Sequence, residues 1–92
     1  MPRFIIERRF GKVTAEELDA GGTRSKRVAK EQFPEIVWEH SHAIETADGV
    51  ISFCIYQAPN EAYVRAHASA AGLPCNQVLE IANTVGPDDF PD

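Results

Sequence analysis

Apolar and polar positions fall into six segments separated by turn signals. Residues 3–10, RFIIERRF, are short, apolar and branched, which predicts a strand. Gly11 and Lys12 make a turn, and Thr14-Ala15-Glu16-Glu17 has the form of a capping box. A helix is therefore expected over about 15–31. Its inward stripe is Leu18, Gly21 or Gly22, Ser25, Val28 and Ala29, at the 3-4 spacing of one helical face. These small residues suit close packing on a sheet. Gly21-Gly22 conflicts with the helix, each glycine costing about 1 kcal/mol relative to Ala, and predicts a kink or a loosened turn. The pair lacks the spacing of a phosphate-cradling loop.

Phe33-Pro34 ends that segment, because a residue before proline avoids the helical region. Residues 35–45, EIVWEHSHAIE, predict a second strand, Thr46-Ala47-Asp48-Gly49 a hairpin turn, and residues 50–57, VISFCIYQ, a third strand. Asn60 is placed to cap a helix over 61–71, and Gly72 with Leu73-Pro74 stops it. Residues 76–85, NQVLEIANTV, predict a fourth strand. The order β-α-β-β-α-β is the ferredoxin-like α+β pattern, a four-stranded antiparallel sheet with two helices on one face. It leaves one sheet face open, as in dimeric α+β barrels, and a second copy of the chain is the expected cover.

The chain has 92 residues. That length supports one domain, expected over residues 1–86, with an acidic, proline-broken flexible tail at 87–92. A domain of this size buries only roughly 60–65 % of its unfolded surface, a further reason to expect a homodimer. The net charge of −5 is unevenly spread: residues 1–30 carry +4 and residues 31–92 carry −9. So acidic a chain argues against general nucleic-acid binding. No apolar run approaches the roughly 20 residues of a membrane span. Glu7, Arg8 and Arg9 interrupt any secretory apolar segment at the N-terminus, so the expected compartment is the cytoplasm. Cys54 and Cys75 form no CxxC motif and are expected to be reduced.

Trp38, His40 and His42 alternate along the second predicted strand and so share a face. Two imidazoles at this spacing can reach one divalent ion, with Cys54, Glu7, Glu80 and His67 as candidate further ligands by residue type. Hairpin register decides whether such a cluster closes. A two-residue Asp48-Gly49 turn sets His42 opposite Ile55 and His40 opposite Gln57, with Cys54 on the other face. A three-residue turn sets His42 opposite Cys54 and His40 opposite Tyr56. The apolar pattern favours the first and metal binding the second. Each residue also has a plainer role: hydrogen-bonded or interface histidines, a small buried cysteine, core aromatics.

Taken in order, several stretches resemble a known family. They are Phe4-Ile5-Ile6-Glu7-Arg8, Thr14-Ala15-Glu16-Glu17-Leu18, Trp38 with His40-Ser41, Cys54-Ile55-Tyr56-Gln57-Ala58-Pro59, and Arg65-Ala66-His67 leading to Ala71-Gly72-Leu73-Pro74. Together they cover about residues 4–85 and are similar to a small ferredoxin-like, nickel-binding family otherwise labelled as a domain of unknown function. The resemblance implies a compact α+β dimer that binds nickel or another divalent transition metal. It points to Glu7, His40, Cys54 and His67 as positions to watch. His42 stands where the family has an aromatic such as Tyr, and could add a ligand. Gln57 stands where it has Glu, which removes a carboxylate. The metal set to test is thus Glu7, His40, His42, Cys54 and His67. A non-catalytic metal-binding homodimer is the leading expectation. One alternative is a small enzyme with His67 or His40 as general base, Trp38 and Tyr56 as pocket walls and a cavity of roughly 300 Å³ or more. Another is a structural dimer with no small ligand.

Overall fold

In the computed structural model, which describes residues Met1–Asp92, the sheet order is β2-β3-β1-β4 and all pairings are antiparallel. The strands are β1 (Arg3–Gly11), β2 (Val37–Thr46), β3 (Gly49–Gln57) and β4 (Gln77–Glu80); the helices are α1 (Ala15–Gln32) and α2 (Glu61–Ala71). This is the expected ferredoxin-like α+β arrangement.

Local chemistry sets the ends of the helices. Thr14 and Glu17 form the capping box reciprocally: Glu17 N–H donates to Thr14 Oγ1 (3.1 Å) and Thr14 N–H to Glu17 Oε1 (3.0 Å). Asn60 Oδ1 accepts from Tyr63 N–H at 2.8 Å, and Gly72 ends α2 at φ +64°. The kink expected at Gly21-Gly22 is absent, and α1 runs unbroken from Ala15 to Gln32. Gly21 is buried, and a Cβ there would lie 3.5 Å from Leu73 Cδ2.

The alternation along β1 and β3 separates the faces. Phe4, Ile6, Cys54 and Tyr56 turn inward and join Ala58, Val64 and Val78 in the core. Arg8 continues the same inward row and is only 2 % exposed. On the face away from the helices, Ile5, Phe53 and Ile55 are half-buried, while Ile44 and Leu79 are exposed. That face carries a band of apolar side chains with nothing from this chain over it.

β4 ends earlier than expected. β4 stops at Glu80, short of residue 85, because its partner runs out: Ile81 N–H donates to Arg3 O at 2.8 Å, and Arg3 is the first residue of β1. Beyond it, Pro87–Asp89 form a 3₁₀ turn, with Gly86 N–H donating to Asp89 Oδ2 at 2.7 Å.

Candidate metal and ligand sites

The β2–β3 hairpin takes neither register expected from the sequence. Thr46 pairs with Gly49, so the turn is Ala47-Asp48. The Thr46 hydroxyl holds it, donating to Gly49 O at 2.8 Å and accepting from Asp48 N–H at 3.2 Å. Gly49 follows at φ +122°, and a Cβ there would overlap the backbone of Gly11. His42 is thus opposite Phe53, His40 opposite Ile55 and Ser41 opposite Cys54. The register is two residues from the first alternative, so facing is preserved and Cys54 stays away from the histidines.

A bulge then separates Trp38 from His40. The ladder shifts between them, leaving Glu39 as an extra residue, and Trp38 pairs with Tyr56. Trp38 therefore joins the helix side, where its Nε1–H donates to Ser41 Oγ at 2.8 Å. The expectation that Trp38 shares the histidines' face is corrected by this one residue.

On the open face His40 and His42 are exposed, their rings 5.2 Å apart and edge to face. The Glu39 carboxylate accepts from Arg3 at 2.8 and 2.9 Å and from Gln57 Nε2 at 3.2 Å. Hydrogen bonding from Arg3 holds Glu39 below the usual carboxylate range, with Gln57 and the charge of His40 acting in the same direction. Glu7 also belongs to this face. Phe53 stands between Glu7 and His42 in the ladder, and the Glu7 carboxylate accepts from Arg9 at 3.2 Å.

Cys54 and His67 lie on the helix side. Cys54 is 5 % exposed, with Sγ 3.6 Å from Ser52 Oγ. His67 is fully buried on α2, its Nε2 3.0 Å from Ser25 O and its Nδ1 without a partner. That contact assigns the Nε2–H tautomer and leaves a bare lone pair at Nδ1. Burial pushes the His67 imidazole below the ordinary histidine range; the Ser25 contact opposes this and the charge of Arg8 adds to it. The five candidate ligands thus divide into Glu7, His40 and His42 on one face and Cys54 and His67 on the other. No three His, Cys, Asp or Glu side chains of one chain are grouped to hold an ion.

Between α1 and the sheet lies an open cleft of about 510 Å³. Trp38 and Tyr56 line it, as the enzyme alternative expects, but no histidine does. The charged group on its buried wall is Arg8, which sequence reading passed over. The signal was available: Phe4, Ile6 and Arg8 recur at the period of two that marks one strand face.

No helix is long and apolar enough to cross a membrane. No curated protein matches the chain significantly. Among solved structures, the crystal structure of SCO4226 from Streptomyces coelicolor A3(2) is similar, with a TM-score of 0.74 at 20% identity, covering 90% of this chain and 99% of that one. This likeness supports the fold. The profile of the nickel responsive protein SCO4226-like family matches residues 4–81, nearly the whole folded region. The chain therefore belongs to the SCO4226-like family of nickel-responsive proteins.

Proposed function

We propose that the protein is a non-catalytic, divalent-metal-binding homodimer of the nickel type, with His40 and His42 as its first ligands. The observation that carries this reading is the exposed imidazole pair on a sheet face that also bears an uncovered apolar band. Imidazole suits nickel, copper and zinc, and the family's description names nickel. Two nitrogens from one chain do not complete a site. A second copy docked by a two-fold axis on the same face would bring its own pair, since such an interface is self-complementary. One association would then cover Ile5, Phe53 and Ile55 and raise the ligand count to four. Glu7, on the same face, is a reserve carboxylate once released from Arg9. Cys54 and His67 act in the core on this account.

Sedimentation velocity of metal-stripped protein, with and without Ni²⁺, tests the reading. A dimer tightened by Ni²⁺ is expected. A monomer at all concentrations, unchanged by the ion, contradicts it.

A further inference from the structure

We infer that the cleft between α1 and the sheet binds a small organic acid, one carboxylate on an apolar body, with Arg8 as its counter-charge. This site lies on the opposite side of the sheet from the histidines and does not depend on metal binding.

Arg8 is the starting point. Its side chain is 2 % exposed, and a guanidinium keeps its charge at any physiological pH. Buried charges are ordinarily paired, yet none of the chain's ion pairs includes Arg8. Its hydrogen bonds go to neutral oxygens, the Pro74 carbonyl at 2.9 Å and the Tyr56 hydroxyl at 3.4 Å. The guanidinium also sits over the Tyr56 ring, 5.6 Å from its centroid. The fold therefore holds a fixed positive charge at the wall of a cleft with no carboxylate paired to it.

The remaining walls define the guest. Phe10, Leu18, Trp38 and Leu73 give apolar surface, and the hydroxyls of Ser25 and Ser52 give polar points near Arg8. The volume of about 510 Å³ falls within the roughly 300–1,000 Å³ of small-molecule sites. A planar guanidinium matches the two oxygens of a carboxylate. Asp19 and Lys26 also border the cleft with opposite charges, which leaves Arg8 as its net charge, so a monoanion fits. Gly22 keeps the space clear, since a Cβ there would lie 4.0 Å from Trp38 Cη2.

Trp38 is the only tryptophan and so reports on the cleft directly. Octanoate and its neutral twin octanol would be titrated against wild-type protein, Arg8→Met and Gly22→Leu, following Trp38 emission, with circular dichroism to check folding. Octanoate is expected to give a saturable change in wild type and to bind at least about tenfold more tightly than octanol, the scale of one charge-assisted hydrogen bond. Arg8→Met should abolish that preference. Gly22→Leu, which leaves Arg8 in place and favours the helix, should weaken both ligands. Equal binding of octanoate and octanol by wild type, or no saturable change, overturns the inference. So does octanoate binding unaltered in Gly22→Leu, which also decides the matter should Arg8→Met fail to fold.

Discussion

Trp38 and His40 are two residues apart on β2 yet face opposite sides of the sheet, because Glu39 is an extra residue in the β2–β3 ladder. Without the bulge Trp38 would crowd the imidazole pair. With it, the indole closes one side of the Arg8 cleft and the imidazoles are left open on the other face. The same residue binds Arg3 across the sheet, so the bulge and its anchor are one device.

Placing Cys54 on the helix side predicts that its thiol is no ligand. Cys54→Ser should bind Ni²⁺ with unchanged affinity, as measured calorimetrically. Marked weakening would require the strands to rearrange so that Cys54 reached His42.

Phe53 stands at the centre of the open face, between Glu7 and His42. Phe53→Asp should weaken self-association by at least about tenfold, as central apolar anchors do, while the circular dichroism spectrum stays that of wild type. Sedimentation equilibrium reads the association constant. A dimer of undiminished strength would move the interface elsewhere.

His67 makes stability depend on pH with a definite sign. In the unfolded chain its imidazole takes up a proton below about pH 6.5, whereas the buried ring resists protonation. The unfolded state then binds more protons, so stability falls as pH drops from about 6.5 toward the lowered folded value, and this group adds no slope above about pH 6.5. Urea midpoints at pH 7.5 and 5.5 should show a smaller acid loss in His67→Gln than in wild type. That variant should also cost about 1–3 kcal/mol at pH 7.5, through the disturbed Ser25 contact.

Gly72 closes α2 in the left-handed region. Gly72→Ala should cost about 1 kcal/mol, measured as a lowered urea midpoint with an unchanged slope.

The fold was legible because its signals are local. The Thr14–Glu17 box, the Asn60 cap, the Gly72 stop and the branched runs each depend on neighbours in sequence. What could not be read depends on contacts across the sheet. The hairpin register turns on the Thr46 hydroxyl bracing an Ala47-Asp48 turn, and the bulge at Glu39 leaves no pattern in β2 itself. A strand pattern shows which residues can share a face, and one inserted residue reverses that for everything before it. The Gly21-Gly22 pair misled in the opposite way: a propensity cost was expected to loosen α1, yet the helix runs unbroken from Ala15 to Gln32. His67, expected as a ligand by family resemblance, lies fully buried against Ser25 because α2 faces the sheet at that position.

The most direct test of the metal account is calorimetric titration of metal-stripped, tag-free protein with Ni²⁺, set beside His40→Ala/His42→Ala. Saturable binding at one Ni²⁺ per two chains, lost in the double variant, is the predicted result. Binding retained in the double variant, or none at millimolar Ni²⁺, would contradict it.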